Sequence, residues 1–129
     1  MKYENKPFKY LFLKKYINLK HYKYNKKHRI ADFVKKILIK LDNYVYQNLT
    51  WRELFKKRTK SNKGKCRIIP REDVEKVFSH LLLSEDDNEF DIYKLTLDQK
   101  VRVCGIIDDI QGIFCILVCD LDHKINDKS

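Results

Sequence analysis

The stretch FDIYKLTLDQKVRVCGIIDDIQGIFCILVCDLDHK, residues 90–124, decides the fold of this chain. Its apolar pattern predicts three consecutive β-strands, over Phe90–Leu97, Lys100–Ile107 and Ile113–Leu121. The first two strands alternate between their faces, whereas the third is apolar on both, as in a strand that is covered on two sides. The two connections are short and rich in turn-forming residues, so both pairings are expected to be antiparallel hairpins.

Length and composition predict a single soluble domain over residues 1–129. A chain of 129 residues with 43% hydrophobic residues is large enough to bury one core without a metal or a disulfide. No apolar run approaches the roughly 20 residues that span a bilayer. The beginning, MKYENKPFKY, lacks the apolar core of a signal peptide. These features predict a cytoplasmic location.

The charge of the chain is divided between its halves. The basic half, residues 1–65, holds 20 Lys/Arg and 4 Asp/Glu, whereas residues 66–129 hold 8 and 14. This asymmetry predicts a polyanionic partner, with nucleic acid ahead of a membrane surface. An acidic protein partner is an alternative. A further alternative is compositional, because Lys- and Asn-rich chains are typical of AT-rich genomes.

Cysteine and histidine spacing gives no metal or cofactor signature. The four cysteines contain no C-x-x-C pair, and Cys115 and Cys119 stand about 13 Å apart along one strand, too far for a disulfide. Free buried thiols in a reducing compartment are therefore favoured over a zinc site. The histidines also lack metal-ligand spacing, and no metal or cofactor is predicted.

The basic half begins with a predicted strand at residues 7–13, PFKYLFL, followed by KKYINLKHYKYNKKHR. Nine of those 16 residues are Lys, Arg or His, and three tyrosines lie between them. Cations that alternate with aromatic rings suit nucleic acid, because cations bind phosphate and rings stack on bases. A lysine-guarded edge strand explains the pattern equally well. The candidate nucleic-acid-binding residues are Lys14, Lys15, Lys23, Lys26, Lys27, Lys57 and Arg58.

Three helices are predicted between the first strand and the three-strand block. Ile30–Tyr46 has apolar residues at helical spacing. A second helix starts at a Thr50–Glu53 capping box, with Trp51 as a core anchor rather than a base-stacking platform. A third begins after Pro70, with acidic residues in its first turn. The expected fold is α+β: a mostly antiparallel sheet of four or five strands, covered on one face by the helical hairpin and the third helix.

Candidate chemistry is limited to a cationic cluster in the three-strand block. No common catalytic signature is present, and glycine occurs only three times. The expected hairpin places Lys94 and Arg102 on one face of neighbouring strands, and His123 and Lys124 follow the third strand toward the same end. Such a cluster can hold a scissile phosphate and supply a proton. The alternative is an exposed basic patch paired with nearby acids, namely Asp91, Asp98, Asp120 and Asp122.

These residues carry a resemblance. Tyr93-Lys94-Leu95, Lys100–Val103, an acidic turn, an aliphatic strand and His123-Lys124 resemble the C-terminal sheet of the RelE/ParE toxin superfamily. The same run, over roughly residues 90–126, is more closely similar to a group of small uncharacterised bacterial proteins. Their ends carry an Arg-Val pair, an Asp-Asn turn, an apolar strand and a final His-Lys. The chain departs from the toxin pattern in having one arginine in the block and no late tyrosine.

The resemblance implies a toxin that is neutralised by an antitoxin. RelE-like toxins cleave messenger RNA on the ribosome, and the ParE branch poisons gyrase. Carried over, Arg102 and Lys94 would contact phosphate, and His123 and Lys124 would lie at the catalytic edge. The leading hypothesis is a RelE-like toxin or toxin-derived RNA-binding protein, in its strongest form a metal-free endonuclease. The alternative is a non-catalytic phage or mobile-element regulator that binds nucleic acid or an acidic protein through its basic half.

Overall fold

A computed structural model describes residues 3–12, 30–56, 65–77, 91–108, 110–121 and 125. The strands are β1 (Lys9–Phe12), β2 (Cys66–Ile69), β3 (Ile92–Thr96), β4 (Arg102–Ile107) and β5 (Ile113–Asp120). The helices are α1, which runs continuously through Ile30–Phe33, Val34–Leu38 and Ile39–Tyr46, then α2 (Trp51–Lys56) and α3 (Arg71–Val77). The α+β class with a mostly antiparallel sheet is confirmed.

The sheet has the strand order β1-β5-β4-β3-β2. The two predicted hairpins are present, since β3 and β5 both pair antiparallel with β4. The exception to the antiparallel pattern is β1, which pairs parallel with β5, with Lys9 opposite Ile113 and Phe12 opposite Ile116. The doubly apolar β5 therefore lies inside the sheet, between β1 and β4, as its sequence predicts.

The first face of the sheet carries the larger core cluster. Tyr93, Leu95 and Val103 point to this face, and α1 and α2 cover it through Ile37, Leu41 and other buried side chains. Alternation along β1 brings Phe8 into the same cluster and leaves Leu11 on the other side, where it is 50% exposed. The predicted helical hairpin is thus the cover of one face.

The second face of the sheet has a smaller core cluster of its own. Ile92, Cys104 and Val118 pack there with Val74 of α3 and with Ile125. The sequence pattern predicts the third helix on the same face as the hairpin, and here the structure differs. Ile69 ends β2 on the second face, and only Pro70 separates it from α3, so the helix packs on the side where the strand delivers it.

A β-bulge shifts the register in which β4 pairs with β5. Cys104 pairs with Val118 while Gly105 pairs with Ile116, so Leu117 is the extra residue and joins the second cluster. Gly105 permits the close approach, because a Cβ atom built there would lie 2.2 Å from the carbonyl oxygen of Cys115. The bulge lets β5 present apolar side chains to both cores.

Local signals fix the turn between α1 and α2. Asn48 has a left-handed φ of 58°, and the amides of Asn48 and Leu49 donate to the carbonyl oxygens of Val45 and Tyr44. The expected capping box is present, since the amide of Glu53 donates to Thr50 Oγ1 at 3.3 Å and the amide of Thr50 to Glu53 Oε1 at 3.2 Å. Within α1, residues Val34–Leu38 form a π-helical turn, which the sequence pattern does not indicate.

Trp51 is the core anchor that the sequence predicts. Its side chain is fully buried, and its ring packs edge-on against Phe8 and Phe114. Its indole Nε1 donates a 2.7 Å hydrogen bond to the carbonyl oxygen of Gly112, in the turn between β4 and β5. A large aromatic side chain with a satisfied donor thus joins α2 to a distant turn.

Candidate nucleic-acid interface

The strand directions give the sheet two chemically different ends. Because β1 is parallel to β5 and all other neighbours are antiparallel, β1, β3 and β5 finish at the end where β2 and β4 begin. We call this the basic end. At the other end, the acidic end, β1, β3 and β5 begin and β2 and β4 finish.

Two strongly cationic segments join the described fold at the basic end. Residues 13–29 follow the last residue of β1 and hold seven Lys/Arg and no acid, and residues 57–64 precede Lys65 and hold four and none. The turn from β3 to β4 contributes Lys100 at the same end. The topology therefore gathers at one end the attachment points of charges that are scattered along the sequence.

Acidic residues mark the opposite end. Residues 84–89, which precede β3 in the sequence, hold four acidic residues, and Asp108 follows the last residue of β4 at this end. Asp108 accepts hydrogen bonds from the amides of Ile110 and Gln111. Asp108 thus lies at the end of the sheet opposite Lys65 and Lys100.

Two residues of the predicted catalytic cluster lie in the described region, and they share the second face as expected. Arg102 pairs with Thr96, and Lys94, two residues before Thr96 in β3, pairs with Cys104. Lys94 is only 5% exposed. The guanidinium Nη1 of Arg102 donates to the carbonyl oxygens of Asp98 and Val101, so it closes the turn between β3 and β4.

Asp120 is a buried carboxylate that sequence reasoning did not place in a site. It lies opposite Arg102 at the end of β5 and is 2% exposed. Its Oδ2 accepts a 2.9 Å hydrogen bond from the amide of Ile125, which is fully buried in the second cluster. Asp120 therefore closes the chain segment that contains His123 and Lys124.

The remaining predicted site residues lie outside the described residues. They are His123, Lys124, Lys14, Lys15, Lys23, Lys26, Lys27, Lys57 and Arg58. Their roles stay predictions, as does the proposed edge strand after residue 14. The strand ends next to them in the chain, namely the last residue of β1, the first residue of β2 and the last residue of β5, lie at the basic end.

The sequence pattern does not indicate a cationic cluster that lies on the first face of the sheet. Lys40 of α1 lies with its Nζ 3.2 Å from Asp98 Oδ2 and 3.4 Å from the carbonyl oxygen of Leu97. Lys65 places its Nζ 4.8 Å from the ring centroid of Tyr44. We call Lys40, Lys65, Tyr44 and Asp98 the lysine cluster. Helical spacing places Lys40 off the apolar stripe of α1, but no local signal joins it to Lys65 or Asp98.

The electrostatics of the lysine cluster favour the charged carboxylate and disfavour a charged Lys65. The backbone amide of Gln99, followed by Lys40, lowers the pKa of Asp98. Burial lowers the pKa of Lys65, and repulsion from Lys40 lowers it further. Lys36 adds to the field at Asp98. Two ammonium groups, those of Lys40 and Lys36, thus act on one carboxylate, and Lys65 lies in the field of Lys40.

The described residues contain neither a metal-binding cluster nor a membrane-spanning helix. Across these residues, no three His, Cys, Asp or Glu side chains are grouped as a metal ion requires. No helix in the described part of the chain has the length and apolar character to cross a membrane.

The chain matches no protein-family model, curated protein or solved structure with which it was compared.

Proposed function

We propose that this chain is an RNA-binding protein of the RelE-like toxin type, which meets the RNA backbone with its basic end. The observation that most supports this proposal is the arrangement of charge. Segments with eleven Lys/Arg and no acid join the fold where β1 finishes and β2 begins, and the acidic turn of Asp108 lies at the other end. A polyanion is attracted to the basic end and repelled by the acidic end, so the electrostatic field favours docking of the polyanion at the basic end.

The order of elements also supports the proposal. A helical hairpin followed by antiparallel strands with Lys94 and Arg102 suits the fold that the resemblance to RelE-like toxins implies. The partners that follow are RNA or the ribosome, together with an antitoxin. Because Lys94 is buried and Arg102 donates to two backbone carbonyls, binding is favoured over cleavage as the function of the described residues.

A direct experiment measures binding and cleavage separately. The purified protein is titrated with single-stranded RNA over a range of salt concentrations, and we expect the affinity to fall steeply as salt rises. The protein is also expressed in bacteria beside the Arg102→Ala/His123→Ala variant, with growth and RNA 5′ ends recorded. New 5′ ends that vanish in the variant would establish the endonuclease form. Failure to bind RNA at low salt would refute the proposal.

The second candidate is a non-catalytic regulator that binds an acidic protein. The same basic end favours it, because Coulombic steering does not distinguish phosphates from carboxylates. A pull-down with the purified protein, before and after nuclease treatment, discriminates the two. Retention of one acidic protein after RNA is digested would favour the regulator.

A further inference from the structure

The lysine cluster has more positive charge than its single carboxylate balances. Lys40 forms the ion pair with Asp98, at 3.2 Å, with both side chains partly exposed. Within the described residues, Lys65 contacts the Tyr44 ring and is in no ion pair. Its ammonium group therefore remains available to an anion from solvent.

The two lysines are held in place by the fold. Lys40 extends from the middle of α1 toward the turn after β3, where its Nζ also lies 3.4 Å from the carbonyl oxygen of Leu97. The backbone of Lys65 is fixed because its carbonyl oxygen accepts a 2.8 Å hydrogen bond from the amide of Thr96. Tyr44 is 6% exposed, so it supports the Lys65 side chain from below. A preorganised pair of cations loses less conformational entropy on binding an anion.

We propose that Lys40 and Lys65 form a binding site for a backbone phosphate of RNA on the first face, at the basic end. This inference rests on the proposed function and names residues that perform it. An anion between the two ammonium groups relieves their mutual repulsion, which Asp98 only partly offsets. Because Tyr44 is buried beneath Lys65, it does not present its ring for base stacking, so Lys40 and Lys65 contact the RNA backbone without sequence preference.

The position of the cluster favours a polyanion over a single carboxylate. Lys65 directly follows the cationic residues 57–64, and Lys36 lies one helical turn before Lys40. A strand of RNA offers phosphates at regular intervals that several such cations engage together. The acidic-peptide alternative is an outcome of the test below.

The test compares two double variants of equal charge. In Lys40→Met/Lys65→Met, the apolar stems are kept while both charges at the site are removed. In the control, Lys9→Met/Lys76→Met, two exposed lysines outside the cluster are changed in the same way. Each protein is titrated with a short single-stranded uridine oligonucleotide at several salt concentrations. We expect the slope of log K against log salt to become shallower by about 0.7 in the site variant, because one phosphate contact on a single strand is lost.

Two further measurements keep the result interpretable. Thermal unfolding establishes that each variant is folded, and Lys40→Arg/Lys65→Arg is expected to restore the wild-type slope because the charges return. A site variant that binds like the control would overturn the phosphate site while leaving the proposed function intact. A wild-type protein that does not bind the oligonucleotide would refute the function itself. Equal affinity for poly-L-glutamate, lost in the same site variant, would overturn the assignment to RNA in favour of an acidic protein.

Discussion

Trp51 and Gly112 form a contact that joins two distant parts of the chain. The indole Nε1 donates a 2.7 Å hydrogen bond to the Gly112 carbonyl, in a buried site. The contact couples the start of α2 to the turn between β4 and β5. It therefore holds the helical hairpin on the first face of the sheet.

Removal of that donor is expected to destabilise the protein. Trp51→Phe leaves the Gly112 carbonyl buried without its donor and reduces packing, at a cost of about 2–3 kcal/mol in the free energy of unfolding. Urea unfolding followed by circular dichroism measures this change. Tyr46→Phe is the matched control, because Tyr46 is 89% exposed and its replacement should change little. Equal stability of the two variants would contradict the role assigned to Trp51.

Gly105 at the bulge is expected to tolerate no side chain. In Gly105→Ala the new Cβ would meet the Cys115 carbonyl oxygen at 2.2 Å, so the backbone of β4 or β5 must move. We expect a loss of at least about 3 kcal/mol in unfolding free energy. Gly112→Ala is the comparison, since its nearest contact is a side-chain atom at 3.1 Å and its strain comes from a φ of 71°. A milder effect at Gly105 than at Gly112 would show that the bulge is more pliable than this geometry indicates.

Asn48 tests the link between α1 and α2. Its φ of 58° lies in the left-handed region, where a residue with an ordinary Cβ is disfavoured by about 1–2 kcal/mol. Asn48→Ala should therefore lower the melting temperature, whereas Asn48→Gly should match or exceed wild type. The two variants control for each other, since both lose the amide side chain. A lower melting temperature for the glycine variant would indicate that the Asn48 side chain itself stabilises the turn.

Because Tyr44 is buried, we expect the free energy of unfolding to fall at alkaline pH. Burial raises the pKa of Tyr44 from 10.0 to about 12, although Lys40 opposes the shift. A group whose pKa is raised by folding contributes stability that is complete below pH 10 and is lost as pH rises toward 12, because the unfolded chain ionises first. Urea unfolding at pH 9, 11 and 12 measures the decline.

The Tyr44→Phe variant isolates this contribution from that of other groups that titrate in the same range. Phenylalanine cannot ionise, so the variant should lose less stability than wild type between pH 10 and 12. Tyr46→Phe again serves as the control and should decline like wild type. Parallel curves for all three proteins would exclude Tyr44 as the cause.

The sequence predicts the parts of the fold that depend on local pattern. Period-two alternation identifies β3 and β4, apolar character on both faces identifies β5 as internal, and the spacing of Thr50 and Glu53 marks the start of α2. Each of these signals is contained within a few residues. Burial of Trp51 is likewise expected for a large aromatic residue at a helix start.

What local pattern does not predict depends on contacts between distant residues. The parallel pairing of β1 with β5 has no signature in residues 7–13, and the side of the sheet taken by α3 depends on how β2 ends. Lys40 and Lys65 are distant in the sequence, and they come together because Lys65 packs on the ring of Tyr44, one turn after Lys40 in α1. Residue types alone also do not reveal that Lys94 is buried.

The parallel pairing of β1 with β5 has a consequence for synthesis on the ribosome. Lys9–Phe12 emerges early, whereas its register partners Ile113–Ile116 emerge only after β2, β3 and β4 have been made. Until then, the buried Phe8 and the partly buried Phe12 lack the strand beside which they pack, and their exposed apolar surface invites association with other chains. High contact order of this kind also slows folding, so we expect β1 to be the last strand to join the sheet.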